Sequence, residues 1–378
     1  MSEHKHHPSL VRLKFPLDKP LVHSFTFVSP CPATSTPTSN SASTEDLSTE
    51  YESTGHTVPD SPFILGVDEA GRGPVLGPMV YGIVLCRESY RSTLGTLGFA
   101  DSKALSESQR EALFTKLNDY RETDSSNGKQ KARLVSDDVG WAATVLSPRD
   151  ISASMLREDK YNLNQLAHDT TISLIRGVLA RGYQVSELYV DTVGPAVSYE
   201  NKLSGLFPTI KVTVRAKAES QFPVVAAASI VAKVVRDQVL HSWQFAEGRE
   251  WSKQWGCGYP SDEQTVRWLK STFDPVFGFP QVVRFSWSTC ENLVVDKGAK
   301  GVWMSDLEDT SKKRGREDPS QSSLLRFASN GKGKNGDDLR ARFTSMAISH
   351  EHAPAHIVKR EQQSFFERRS ITPIFDRL

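Results

Sequence analysis

Cysteine is scarce and scattered. Cys31, Cys86, Cys257 and Cys290 form no close pair in 378 residues, which excludes zinc and dithiol spacings and argues against a disulfide scaffold. No apolar run approaches the length that spans a bilayer, so no membrane association is expected. The first residues, with His4, His6 and His7 among charged neighbours, lack the apolar stretch of a secretory signal. The chain is expected to be soluble and to live in a reducing compartment. Net charge is lacking too. The formal total is +1, with −3 on residues 1–60 and +4 on residues 296–378, so the stretch between them is neutral. Many nucleic-acid proteins carry a basic core; here any such function must rest on local residues. No internal repeat is found, which excludes solenoids and propellers.

What is there begins with composition. Pro32 to Pro62 is crowded with Ser, Thr and Pro and cannot bury enough apolar surface to offset its ordering entropy. After about Val295 the apolar periodicity fades into short charged clusters. The expected organisation is a disordered flank over 1–60, one catalytic domain over 61–295, and a largely disordered tail over 296–378. Lys312-Lys313-Arg314-Gly315-Arg316 reads as a nuclear-import patch or as a solvated basic face.

Within the domain, Phe63–Val67 and Met79–Cys86 read as buried strands, Trp141–Leu146 as a third, and Leu188–Val190 and Ile210–Val214 as two more. Leu163–Leu179 has helical periodicity with Gly182 past its end, and Pro223 opens an Ala- and Val-rich helix running to about Gln244. This order predicts an α/β domain with a mixed sheet flanked by helices.

Carboxylates gather at the ends of those strands. Asp68 and Glu69 follow the first, Asp191 follows Leu188–Val190, and Glu219 lies in the link before Pro223. Acidic groups there are costly unless solvated, hydrogen-bonded or bound to a cation. If the strands are neighbours, the four make a site of hard oxygen donors suited to Mg²⁺ or Mn²⁺. The alternative for each alone is an exposed carboxylate in a turn. Asp237, beside Arg236 inside a helix, is a further candidate carboxylate for the site, with an ion pair as the favoured reading. His168, on the Leu163–Leu179 helix, reads as a packing or surface histidine. After Glu69 comes Gly71-Arg72-Gly73-Pro74-Val75-Leu76-Gly77-Pro78. Its glycines permit positive φ and close approach to a ligand. Leu76 stands where a dinucleotide fingerprint needs Gly, and a strand follows instead of a helix, so that reading fails.

Asp68-Glu69-Ala70-Gly71-Arg72-Gly73 resembles the signature of the type 2 ribonucleases H. The likeness continues in order through Asp101-Ser102-Lys103, Tyr161-Asn162-Leu163-Asn164, Val190-Asp191-Thr192-Val193-Gly194 and Ala216-Lys217-Ala218-Glu219. It goes on through Ala226 to Lys233, Gly256 to Asp262, and Val283-Arg284-Phe285-Ser286-Trp287. Asp191–Gly194 and Phe277-Gly278-Phe279-Pro280 resemble the eukaryotic branch. The series covers nearly all of 61–295.

The resemblance implies a ribonuclease-H-like fold with a C-terminal helical extension. It implies an endonuclease that cuts the RNA strand of RNA–DNA hybrids, and cuts 5′ of single ribonucleotides in duplex DNA. Water would attack in line, leaving 5′-phosphate and 3′-hydroxyl ends, with roles in ribonucleotide removal and primer clearance. Asp68, Glu69 and Asp191 match three of four catalytic carboxylates that hold two divalent cations, Mg²⁺ or Mn²⁺; Glu219 stands where the family usually has Asp. Gly71, Arg72 and Gly73 match the loop that senses the ribose 2′-hydroxyl. Tyr259 matches a tyrosine that packs on the sugar at the junction, while Lys103 and Lys217 stand where phosphates would be met; Asn164 belongs to the same substrate-contacting set. The resemblance further implies two accessory subunits, B and C, docking on tail segments such as Val302-Trp303 and Phe365-Phe366, and a nuclear location with the cytoplasm left open. Asp119–Arg133 reads as an inserted polar loop. Two other readings stand beside it: a hybrid-binding scaffold that lost its chemistry, and a Holliday-junction resolvase on the same fold.

Overall fold

The computed structural model describes residues 7–30, 32, 61–99, 105–119, 135–157 and 161–299. The chain divides into two units, one of 1–154 with 162–299 and one of 155–161 with 300–378. Of the second only 155–157 and 161 are described. The first contains all that follows.

Its elements, in chain order, are α1 (Pro8–Arg12), β1 (Phe25–Val28), β2 (Phe63–Ala70), β3 (Met79–Arg87), α2 (Arg91–Thr96), α3 (Glu107–Leu117), β4 (Val139–Leu146), α4 (Pro148–Met155), α5 (Leu163–Leu179), β5 (Val185–Asp191), α6 (Ala196–Leu206), β6 (Lys211–Arg215), α7 (Pro223–His241), α8 (Glu263–Thr272) and α9 (Ser288–Lys297). The strands form one mixed sheet in the order β1-β4-β3-β2-β5-β6. The pairs β1–β4, β4–β3 and β3–β2 are antiparallel, and β2–β5 and β5–β6 are parallel. The predicted mixed sheet with flanking helices is the architecture observed.

Every residue of β3 is buried because helices cover both faces. Gly82 faces α7, where a Cβ would stand 2.6 Å from the Ala228 carbonyl oxygen. Its neighbours Ile83 and Leu85 line a small apolar cavity with Leu174 and Val178 of α5. Close approach of α7 depends on Gly66 as well, since a Cβ there would meet the Val224 carbonyl carbon at 2.4 Å. Ala226, Ala227 and Ala228 are fully buried, and Ala228 and Ala232 meet the sheet at Gly82. Each fully buried Val or Ile of α7 contributes roughly 1.5–3 kcal/mol. α5 is set by a capping box between Asn162 and Gln165, and α7 opens on Pro223.

The N-terminal flank departs from expectation. Residues 7–30 are folded: Leu10, Phe15 and Leu17 are buried in the main core, and β1 pairs with β4 from Phe25↔Val145 to Val28↔Ala142. Phe27 packs 5.5 Å from Trp141 and 5.0 Å from Phe15, centroid to centroid. The physical reason is that β4 would otherwise offer an open edge of the sheet, and the Phe25/Phe27 pair supplies the apolar surface to cover it. The remainder of the expected flank, 1–6, 31 and 33–60, lies outside the described residues, as do 120–133 of the expected insertion and the tail from 300 on. The described C-terminal helices, α8 and α9, supply the expected helical part. Asp237 is an ion-pair partner as expected, 3.8 Å from both Arg110 and Arg236.

Candidate active site

Sheet register builds the site. β2 and β5 are parallel with Val67 opposite Val190, so the next residues, Asp68 and Asp191, sit side by side at the strand ends. Strand alternation turns Asp68 toward the α7 face and Glu69 toward the opposite one. Asp191 Oδ1 accepts the Ala218 N–H at 2.9 Å, which pins the one-turn 3-10 helix Ala218–Ser220 carrying Glu219. Lys217, just before it, is exposed and takes a left-handed conformation, φ 56°, a strained state for a non-glycine residue that often marks functional turns. Glu219 is buried; its Oε2 accepts from Ser229 Oγ at 2.9 Å and lies 3.5 Å from Lys233 Nζ.

Burial is the main force on the first two carboxylates. It raises Asp68 to about 7, with Asp191 and Glu219 pushing the same way and a Ser229 hydrogen bond opposing. It raises Glu69 to about 8, reinforced by Asp68 and opposed by Arg72. Asp191 and Glu219 are thus near enough to act on both Asp68 and Glu69. Among the described residues, no three Asp, Glu, His or Cys side chains are already gathered tightly enough to grip an ion. Glu219 is engaged with Ser229, and Glu69 lies on the other face. The donor chemistry nevertheless fits hard divalent cations: oxygen donors only, with protonation states that a nearby cation would reverse.

A stability prediction follows from those directions. Both pKa values are higher folded than unfolded, so the metal-free protein loses stability as pH rises from about 4 toward 8. The fall in melting temperature between pH 5 and 8 should be smaller in Asp68→Asn than in wild type. It should also be smaller in saturating Mn²⁺, which holds the ionised forms. Thermal melts in chelator and in Mn²⁺ at both pH values check this; parallel curves for wild type and Asp68→Asn would contradict it.

The glycine loop flanks these carboxylates. Gly71 has φ +81°, and a Cβ there would stand 2.7 Å from the Pro78 carbonyl oxygen. A Cβ on Gly73 would stand 3.0 Å from Tyr259 Cε1, so the loop and the half-exposed Tyr259 ring are neighbours. Arg72 donates to Asn164 Oδ1, and Asn164 also approaches Gly194, beyond Asp191. The structure thus brings Asp68, Asp191 and the Lys217–Glu219 turn together, with Glu69 adjacent in the chain but on the opposite face of the sheet, and Gly71, Arg72, Gly73, Asn164 and Tyr259 nearby. Lys103 lies outside the described residues. His168 is a packing residue, as expected. Its ring stacks on Tyr199 at 3.8 Å, and its Nε2 lies 3.2 Å from the Val193 carbonyl oxygen.

Arg284 has no individual role that its sequence neighbourhood assigns. Fully buried, it donates from Nε to the Gly77 carbonyl at 2.8 Å, from Nη1 to the Arg72 carbonyl at 3.2 Å and from Nη2 to the Gly71 carbonyl at 2.6 Å. Trp287 Nε1 donates to the Gly73 carbonyl at 3.1 Å. Arg284 and Trp287 thus hold the carbonyls of Gly71, Arg72, Gly73 and Gly77, while the Gly77 N–H donates to the Val282 carbonyl at 2.7 Å. Burial, then the neighbouring Arg236, pulls Arg284 down to about 9, still cationic at neutral pH. An arginine inside the apolar run Val282-Val283-Arg284-Phe285 was the available signal, because a buried charge needs specific partners.

Comparison with known proteins decides the class. The family model of ribonuclease HII matches residues 65–290. The chain belongs to the ribonuclease HII family. The A-subunit of ribonuclease H2 from Homo sapiens is 49% identical over 243 residues, 64% of this chain and 76% of that one. Its Arabidopsis thaliana counterpart is 45% identical over 252 residues, 66% and 79% of the two chains. Among solved structures, the ribonuclease H2 of Pyrococcus horikoshii OT3 is 30% identical, with a TM-score of 0.48, covering 61% of this chain and 97% of that one. As a family member the chain is a metal-dependent ribonuclease H, and no described helix is long and apolar enough to cross a membrane.

Proposed function

We propose that this ribonuclease H cuts through Asp68, Glu69, Asp191 and Glu219 acting together, on substrates selected by the Gly71-Arg72-Gly73 loop and Tyr259. The enzyme hydrolyses the RNA strand of RNA–DNA hybrids and ribonucleotides embedded in DNA, a place in primer clearance and ribonucleotide removal. The register that seats Asp68 beside Asp191, with Glu219 tied to Asp191 through Ala218, carries the reading. Two divalent cations, Mg²⁺ or Mn²⁺, held by the four carboxylates would activate the attacking water and stabilise the departing oxygen. The protein's own groups do the rest. Asp191 orients the Glu219 turn, Lys217 and Lys103 meet phosphates, Asn164 braces Arg72, and the loop's N–H groups meet the 2′-hydroxyl. Incubation in Mg²⁺ with labelled hybrid, four-way junction and plain duplex is the test. Cutting of the hybrid alone supports the assignment; junction cleavage or binding without cutting opposes it.

Residues 61–295 are the catalytic domain in this reading, to which the folded 7–30 segment adds an edge strand. The tail, with Val302-Trp303 and Phe365-Phe366, would dock accessory subunits B and C, and the enzyme would work in the nucleus. Purified alone the chain should cut hybrid weakly, and adding both partners should raise the rate at least ten-fold. A rate unchanged by the partners would refute the docking role.

A further inference from the structure

Ser229 and Lys233 stand one turn apart on α7, so they share the helix face that looks onto the carboxylates. Both reach the same oxygen. Glu219 Oε2 accepts from the Ser229 hydroxyl at 2.9 Å and lies 3.5 Å from the Lys233 ammonium. Glu219 is buried while Lys233 keeps about a quarter of its side chain exposed, 23%, so the ammonium has a path to solvent. Glu219 carries one more methylene than aspartate would, and its carboxylate rests against α7 through these two contacts. One of the four carboxylates already lies beside an ammonium that belongs to the chain.

We propose that Lys233 is a built-in stand-in for a divalent cation, which must leave Glu219 before that carboxylate can serve as a metal ligand. The inference rests on the four-carboxylate reading above. Its physical basis is competition. An ammonium and a divalent cation cannot both lie within contact of one carboxylate oxygen without strong repulsion in a poorly solvated site. Displacement costs little, because the freed ammonium reaches water along a flexible stem. Lys233 therefore sets how tightly the Glu219 side of the site takes its cation. It also limits carboxylate repulsion when the site is empty.

Mn²⁺ binding to the full chain, followed by calorimetry and by the spin-resonance signal of free Mn²⁺, reads this directly. Lys233→Met should tighten the weaker Mn²⁺ step at least ten-fold, whereas Lys233→Arg, which keeps the charge, should stay within about three-fold of wild type. A second measurement uses only the wild-type chain and survives any folding defect in the variants. Amine-labelling of Lys233, read by mass spectrometry, should speed up at least five-fold when Mn²⁺ saturates the site, while other lysines keep their rates. An unchanged weaker step in folded Lys233→Met, or a labelling rate at Lys233 indifferent to Mn²⁺, overturns the proposal. So does slowed cleavage by Lys233→Met with both Mn²⁺ affinities intact, which would make Lys233 a phosphate contact. If Asp191→Asn binds Mn²⁺ as wild type does, the carboxylate site itself is misplaced and this inference falls with it. Normal dependence on Asp191 with an insensitive Lys233 sinks only the stand-in role.

Discussion

Asp191→Asn should lower hybrid cleavage in Mg²⁺ by roughly three orders of magnitude or more, a loss of the size seen when a group acting in concert with others is removed. The change is nearly isosteric. Its side-chain oxygen can still accept the Ala218 N–H that anchors the Glu219 turn, so local geometry is kept. What goes is one negative charge from a cluster in which Asp191 helps push up both Asp68 and Glu69. For the metal-free protein that loss is a relief. The melting temperature in chelator should therefore be equal to wild type or higher, while affinity for Mn²⁺ drops. Cleavage assays on labelled hybrid, paired with melts in chelator, separate the two effects. A variant that folds and still cuts within a few-fold of wild type would remove Asp191 from the active site.

The candidate site was legible in the sequence where its parts are local. Asp68 and Glu69 end an apolar run, Asp191 ends another, and the intervening glycines and prolines exclude a helix. The sheet class could be read from the same runs, since a strand buried on both faces, such as Met79–Arg87, leaves little polar alternation. Non-local features were hidden. Strand order needs the pairings of β2 with β5 and of β1 with β4, which join residues far apart in sequence. The N-terminal strand was hidden by its neighbourhood, because the Ser- and Thr-rich stretch after Pro32 dominates any compositional average over 1–60. Yet Pro8 ahead of Leu10, and Phe25 with Phe27, carried a short helix and a short strand. Arg284 is the clearest case of a role that spacing cannot give. Its partners Gly71, Arg72 and Gly77 lie more than 200 residues away, and only the folded chain brings a guanidinium under the loop.

That buried guanidinium sharpens the expectation for substrate choice. The loop's carbonyls at Gly71, Arg72, Gly73 and Gly77 are all taken from below by Arg284 and Trp287. The N–H groups of Val75, Leu76 and Gly77 are taken by Gly258 and Val282 carbonyls, so the proposed contact with substrate falls to the short Gly71–Gly73 stretch. In the proposed reading a single 2′-hydroxyl would suit its polar groups, with the next sugar resting against Tyr259, which neighbours Gly73. A deoxyribose at the sensed position leaves those groups unpaired, and sites built around a hydroxyl reject analogues lacking it by large factors. Gly71→Ser should be the most damaging loop change. It combines a left-handed φ of +81° with a Cβ 2.7 Å from the Pro78 carbonyl oxygen, so the loop must shift, carrying its N–H groups away from the sugar. Cleavage at a single embedded ribonucleotide should fall by roughly a hundred-fold or more, the scale on which a displaced positioning element acts. Tyr259→Ala should cost about ten-fold or more on the same substrate, with neither variant losing more on a ribonucleotide tract than on the single site. A tract offers several registers in which a damaged loop can still find a hydroxyl, whereas an isolated ribonucleotide offers one. Time courses on two duplexes, one with a lone ribonucleotide and one with a tract, give the comparison. If wild-type enzyme with its partners cuts only the tract, Gly71-Arg72-Gly73 and Tyr259 do not read a single junction.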